Sequence, residues 1–252
     1  MFRHEKPQRG RFRQFTQFGI EYFGYSDTNS EIELIKIMNS LFSSFELENI
    51  KLHINSLGNQ SDREKYKQVI KKHFADKLDL LDESTKLTFE KNPLRLLDSK
   101  NESIREACSN LPNLHESINN QSQSSFDEFT QKLDNLNIEY IIDNTIVRGL
   151  DYYNDLVFEW KTEELGSQNA ICAGGRYDSL VNNLGNINVP AIGLAMGVER
   201  IVELLKNQNH QNNEIIYPFV DEQGINNINF IKITDKIRKK YSNLNFFNTD
   251  TS

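Results

Sequence analysis

The order of apolar and polar positions divides the chain into a strand-rich opening, a helical middle and a strand-rich second half. From Phe18 to Tyr25, aromatic residues and Ile20 sit among Gly19 and Gly24, the mixture expected of a strand. Ser30 then opens the stretch EIELIKIMNSLF, where Ile32, Ile35, Met38 and Phe42 recur at helical spacing on one face. Residues 50–55 (IKLHIN) alternate apolar and polar positions, as a half-buried strand does. Ser61 and Glu64 have the spacing of a capping box, followed by Tyr66, Val69, Ile70, His73 and Phe74 at helical intervals. The helical pattern runs to Asn92-Pro93, breaks, and returns from about Ser124 to Leu136 with Phe126, Phe129 and Leu133 sharing a face. Residues 58–123 therefore read as a helical insertion, rich in Asn, Ser and Gln towards its end, within a sheet-based core.

From Ile138 the period returns to that of strands: IEYIID, LDYYNDLVFEWKT and QNAICAGG. Gly193 to Gly197 leads into VERIVELLKN, an amphipathic helix with Val198, Ile201, Val202 and Leu205 expected inward. Residues 207–213 hold no apolar side chain and read as a linker. Beyond them IIYPFV, a helix near Ile225–Tyr241 and LNFF suggest a short β-α-β. The fold class expected is α+β.

Composition narrows the picture. The chain has 252 residues, 37% hydrophobic and 26% charged, enough to bury a core. No apolar run reaches the roughly 18–20 residues of a membrane span, and the opening residues lack the apolar segment of a secretory signal. The two cysteines, Cys108 and Cys172, fit neither a zinc knuckle nor a disulfide scaffold, so a reducing cytoplasm is expected. Cys172 reads as a small buried hydrophobe. The five histidines show no metal-binding spacing, and structural or surface roles are expected for them. Net charge is −7, which taken whole argues against a dedicated nucleic-acid binder. Residues 1–22, however, carry five basic against two acidic side chains, a local +3 that points to an anion site.

Four segments carry candidate chemistry. Residues 2–21 (FRHEKPQRGRFRQFTQFGIE) read as a β-hairpin with a basic loop around Pro7–Gly10, bringing Arg3, Arg11 and Arg13 near each other. Arginine suits bidentate phosphate recognition, although charge alone favours the plainer reading of a solvated basic hairpin. Gln17 and Glu21, four apart on the returning strand, share a face. Residues 147–159 (VRGLDYYNDLVFE) read as a turn at Arg148-Gly149 into a strand, with Tyr152 and Tyr153 as ordinary strand aromatics. In CAGGRYDSL the pair Gly174-Gly175 permits a tight turn or the close approach of a ligand. AIGLAMGVERIVELL could be no more than strand-to-helix packing.

Taken together, in this order and across about 200 residues, the four segments resemble the histidyl-tRNA synthetases, a family of class II aminoacyl-tRNA synthetases. Residues 2–21 are similar to motif 2, RGLDYY to a signature peptide of the family, CAGGRYDSL to its second signature, and residues 191–205 to motif 3. Asn92–Lys100 also looks like part of that family's helical insertion. The resemblance implies a mixed, mainly antiparallel sheet flanked by helices, a catalytic core over residues 1–206, and the start of an α/β anticodon-binding domain at 214–252. It implies that Arg3 holds the α-phosphate of ATP and the amino-acid carboxylate. Glu5 and Arg11 would lie near the nucleotide, Phe15 would stack on adenine, and Arg200 would bind the γ-phosphate. Gln17 and Glu21 would bind the α-amino group of histidine. Arg148 would serve the reacting α-phosphate and the histidine site, with Tyr152 and Tyr153 in the same pocket and Tyr177 on the imidazole. The implied partners are histidine, ATP with Mg2+ (its ligands unassigned) and histidine tRNA, in a cytoplasmic homodimer.

The family also carries motif 1 upstream and a longer anticodon-binding domain, whereas Met1 falls almost on the motif 2 arginine. The expectation is therefore a fragment that is unstable or inactive alone, with an apolar edge left uncovered. Robust ATP–pyrophosphate exchange with histidine by the 252-residue chain would overturn that expectation. The alternative is a non-catalytic, synthetase-like regulatory subunit of ATP phosphoribosyltransferase. Such relatives usually lose the arginine of the RGLDYY peptide, which is present here as Arg148.

Overall fold

The structure is a computed structural model that describes residues 1–4, 11–99, 101–147, 152–166 and 169–206. One sheet holds six strands: β1 (Gln17–Phe23), β2 (Lys51–Ser56), β3 (Tyr140–Ile142), β4 (Asn154–Lys161), β5 (Ala170–Arg176) and β6 (Ala191–Gly197). Their order is β1-β6-β5-β4-β2-β3, and every neighbouring pair is antiparallel except β2–β3. Among the described residues the α-helices are α1 (Thr28–Ser44), α2 (Gln60–Phe74), α3 (Glu83–Lys91), α4 (Glu102–Cys108), α5 (Asn120–Asn135), α6 (Asp178–Gly185) and α7 (Val198–Lys206). The α+β class and the mainly antiparallel sheet are those expected. Residues 1–205 and 206–252 form two separate units, and the expected linker and β-α-β of the second lie outside the described residues.

Strand register gives the sheet two unlike faces. On one, Leu52, Ile54, Phe158, Trp160, Cys172, Ile192, Leu194 and Met196 meet α1, α5 and α7 in the main core. The periodic residues Ile32, Ile35, Met38 and Phe42 of α1 are all buried there, as are Phe126, Phe129 and Leu133 of α5. Each side chain of this kind contributes about 1.5–3 kcal/mol when fully buried. Trp160 keeps its indole N–H satisfied, donating to Asn39 Oδ1 at 3.0 Å. Its ring meets Phe42 and Phe158 edge-on at 5.7 and 5.5 Å. Cys172 lies in this core as a small hydrophobe.

On the other face, Tyr66, Ile70 and Phe74 of α2 join Phe89, Leu96, Ile104 and Leu114 in a second core that reaches Tyr153, Val157, Tyr177 and Ala191. The helices of residues 60–108 thus abut the aromatic residues singled out in the sequence.

Three local expectations shift. The cap of α2 is built by Asn59 and Asp62, not by Ser61 and Glu64: each side chain accepts from the other's backbone N–H. Gly58, at φ +61°, turns the chain into this cap, so Ser61 already stands inside the first turn. Helix α5 begins at Asn120, capped by Asn119, some four residues before the start expected near Ser124. In α7 the buried residues are Ile201 and Leu204, with Leu205 packed against the core, which turns Val202 out to 44% exposure.

Candidate active site

The expected hairpin forms. Met1 N donates to Phe15 O at 2.7 Å, Phe15 N to Met1 O at 3.0 Å, and Arg3 N to Arg13 O at 2.8 Å. Its loop, Glu5 included, lies outside the described residues. The returning strand is stitched to the start of α7, where Val198 N donates to Thr16 O and Thr16 N to Glu199 Oε1. This stitching draws Arg200 towards the hairpin's arginines. Burial first, then the positive charges of Arg3 and Arg11, hold the Arg200 guanidinium below its ordinary value, with Glu159 pulling the other way. Arg200 also donates to Ala170 O. Arg3 is fixed by a 2.9 Å bond from Nε to Phe12 O, its guanidinium 4.3 Å from the centre of the Phe15 ring. Three like charges gathered in this way favour a polyanionic ligand, which would relieve their mutual repulsion.

Along β1 the expected parity holds: Ile20 and Tyr22 pack against the main core, while Gln17 and Glu21 occupy the opposite face. Their cross-strand partners are Gly197 and Gly193. With Ala195 of β6 and Ala173 and Gly175 of β5, these form a floor of small residues bounded by Val157 and Glu159 of β4. At Gly193 a Cβ would stand 1.5 Å from Glu21 Oε2 and 2.8 Å from Ile20 O. Glycine there is what lets the carboxylate lie across the strand.

Tyr177, directly after β5, donates its hydroxyl to Glu21 Oε2. Burial, then the hydrogen bond and charge of Glu21, hold this phenol above its ordinary value, so it remains a donor through neutral pH. The Tyr177 ring lies 5.7 Å from Tyr152, 6.2 Å from Tyr153 and 6.4 Å from Phe23. Tyr152 and Tyr153 are 4.7 Å apart. Arg63 of α2 braces this wall by donating to Tyr153 O at 2.6 Å.

The sequence-predicted residues therefore gather in two groups on one side of the sheet: Arg3, Arg11, Phe15 and Arg200, and Gln17, Glu21, Tyr152, Tyr153 and Tyr177. Arg148 lies outside the described residues. A carboxylate among phenols suits an ammonium group and an imidazole, and the arginines suit phosphates. Among the described residues no three His, Cys, Asp or Glu side chains gather as a metal cage. Mg2+ carried on substrate phosphates needs only one or two carboxylates, and Glu159 is an acid on this face.

Sequence reasoning missed the buried pair beneath this site. Arg176, 4% exposed, donates from Nε to Glu31 Oε1 at 2.8 Å and from Nη1 to Tyr25 O and Asp178 Oδ1. No local pattern announces a pair 145 residues apart. His53, His73 and His115 are held structurally, by Asp143, Ala107 O and Asn144.

Among the described residues no helix is long and apolar enough to cross a membrane. A family model described as histidyl-tRNA synthetase matches residues 1–201. The chain is 47% identical over 209 residues to the histidine–tRNA ligase of Ruthia magnifica, covering 83% of this chain and 50% of that protein. With the histidine–tRNA ligase of Legionella pneumophila (strain Lens) it shares 40% identity over 257 residues, covering 100% and 60%. The chain thus spans half to three-fifths of the length of these curated relatives. The fold is shared with apo S. aureus histidyl-tRNA synthetase, at a TM-score of 0.62 and 24% identity, covering 95% of this chain and 60% of that one. It is also shared, at a TM-score of 0.50 and 22% identity, with a Bacillus halodurans protein described as an ATP phosphoribosyltransferase regulatory subunit/histidyl-tRNA synthetase, covering 97% and 66%. Relatives at 40–47% identity carry the ligase name, and the regulatory alternative is not better supported. The chain belongs to the histidyl-tRNA synthetase family.

Proposed function

We propose that this chain carries the catalytic core of a cytoplasmic histidine–tRNA ligase, residues 1–206, followed by a linker at 207–213 and part of an anticodon-binding domain at 214–252. Histidine and ATP react to histidyl-adenylate and pyrophosphate, and the histidyl group then passes to the terminal ribose of histidine tRNA. The observation that carries this reading is the Tyr177–Glu21 hydrogen bond within an aromatic wall, on the same sheet face as the Arg3, Arg11 and Arg200 cluster.

Gln17 and Glu21 take the α-amino group, Tyr152 and Tyr153 wall the pocket, and Tyr177 contacts the imidazole while fixing Glu21. Arg3 and Arg148 hold the carboxylate and α-phosphate. A carboxylate oxygen attacks that phosphorus in line as the bond to the bridging oxygen breaks and pyrophosphate leaves. Glu5 and Arg11 lie by the nucleotide, Phe15 stacks on adenine and Arg200 takes the γ-phosphate. Mg2+ bound with ATP would add charge neutralisation on the phosphates, and Glu159 is the acid on this face that could help hold it. Removing one cation aimed at transition-state charge costs roughly 10²–10³ in rate. The acceptor end of the tRNA meets the basic hairpin loop in a contact that weakens with salt. The active assembly is a homodimer, as in the family.

The test is histidine-dependent ATP–pyrophosphate exchange, measured on the 252-residue chain alone and joined to the flanking segments of the L. pneumophila relative. The joined protein should exchange with histidine and not with other amino acids, and Arg148→Ala should abolish exchange. Exchange independent of histidine, or a near-normal rate in that variant, would contradict the assignment.

A further inference from the structure

One residue beside the aromatic wall is tied to more elements than its place in a strand requires. Asp155, near the start of β4, has φ +48°, a left-handed backbone uncommon for a residue with a side chain and tolerated best by Asn and Asp. It lies within an irregularity in the pairing of β4 with β5, between Asn154 and Val157. Its backbone grips the entry to α2: Asp155 N donates to Gly58 O at 3.0 Å, and Leu57 N donates to Asp155 O at 2.8 Å. Its carboxylate grips the entry to α5, accepting from Ser122 Oγ at 2.6 Å on Oδ1.

The caps of α2 and α5 are joined to each other as well. Asn119, the cap of α5, donates to Asp62 Oδ2 in the cap of α2 and to Ser122 Oγ at 2.9 Å. On the other side, Asp155 Oδ2 accepts from Asn154 Nδ2 at 2.8 Å, and Asn154 Oδ1 accepts from the backbone N–H of Asp178 at 2.8 Å. Asp178 follows Tyr177 directly, and its Oδ1 accepts from Ala191 N, while Tyr177 N donates to Ala191 O. Asp62 and Ser122 are buried, and polar links in low dielectric hold their geometry tightly.

We propose that Asp155 is a positioning residue for the pocket: it fastens both ends of the 59–122 helical segment to Tyr153 and, through Asn154, to Tyr177, so that the pocket keeps its shape only while that segment is seated. The inference rests on reading this pocket as the histidine site. Asp155 touches no substrate. It acts through the two tyrosines on either side, and it adds to the Arg63 bond and the shared apolar core a polar junction through which movement of the helical segment reaches the pocket.

The test uses the 252-residue chain, with calorimetric titration of L-histidine and of a non-hydrolysable ATP analogue. Asp155→Ala should weaken histidine binding about tenfold or more and leave the ATP analogue within about twofold, because the arginine cluster does not share these bonds. Asp155→Asn, which keeps one acceptor, should recover most of the loss. Ser122→Ala should give a smaller loss that does not add to that of Asp155→Ala, and it keeps the test if Asp155→Ala fails to fold. Histidine affinity unchanged in both alanine variants, or equal losses for histidine and nucleotide, would overturn the proposal. Should the parent chain bind no histidine, the histidine reading fails, and amide hydrogen exchange then judges the clamp. Faster exchange at 59–63, 119–123 and 177–181 in Asp155→Ala, with β1 and β6 unchanged, supports it; unchanged exchange in those segments overturns it.

Discussion

Gly193→Ala tests the pocket through a single methyl group. The new Cβ would stand 1.5 Å from Glu21 Oε2, and an ordinary contact starts near 3.4 Å, so the carboxylate must retreat by about 2 Å. A retreat of that size breaks its bond with Tyr177 and moves the charge meant for the ligand's ammonium group. A hydrogen bond to a charged group is worth about 1.5–3 kcal/mol, which predicts histidine binding weakened roughly 10- to 150-fold. The stability cost should be smaller than the clash suggests, because the carboxylate ends a flexible side chain. The 2.8 Å approach to Ile20 O keeps it above zero, about 1–3 kcal/mol.

Gly197→Ala is the matched control on the same strand and face. Its Cβ would meet Arg200 Cδ at 3.5 Å, an ordinary contact, so histidine affinity should stay within about twofold. Calorimetry on both variants, with thermal melts to separate folding from binding, decides the matter. Parental histidine affinity in Gly193→Ala, or equal losses in the two variants, would refute the role given to the Glu21 carboxylate.

Other consequences follow from the same geometry. Arg200→Ala in the protein joined to its relative's flanking segments should slow pyrophosphate exchange about 10²–10³-fold, and a loss below tenfold would remove Arg200 from the phosphate site. Removing Arg176 with Arg176→Met strands the buried Glu31 carboxylate and should cost about 3–5 kcal/mol in urea unfolding; a change below about 1 kcal/mol would show the pair to be dispensable. Burial pushes the Glu31 carboxyl up to about 7 from an ordinary 4.5, against the pull of Arg176. Because the folded value is the higher one, this group's contribution is complete below pH 4.5 and is lost as pH rises through about 7. Glu31→Gln should therefore flatten the decline in stability between pH 4.5 and 7, and identical slopes in parent and variant would contradict the assignment.

What the sequence made legible is what local chemistry dictates. The stripes Ile32–Ile35–Met38–Phe42 and Phe126–Phe129–Leu133 repeat at the helical period because each helix buries one side, and both faces are found where the pattern put them. The shared face of Gln17 and Glu21 follows from strand parity alone. Helix α6 gave no comparable sign, since it buries none of its residues and its cap residue, Tyr177, makes no side-chain capping bond. The cap of α2 was misplaced by two residues because Asn59–Asp62 and Ser61–Glu64 both carry polar side chains at the required spacing. Arg176–Glu31 and the Asp155 junction join residues far apart in the chain, so only the fold reveals them. The roles of Glu5 and Arg148 came from the family resemblance of their motifs, and composition held no trace of them.

The central claim is that the face bearing Glu21 and Tyr177 is a histidine site. Titrating L-histidine into the 252-residue chain and its Glu21→Gln variant tests this most directly, because Gln keeps the shape of the side chain and removes its charge. The account predicts one binding site in the parent chain and affinity reduced at least tenfold in the variant. No binding by the parent, or equal affinity in the two, would contradict it.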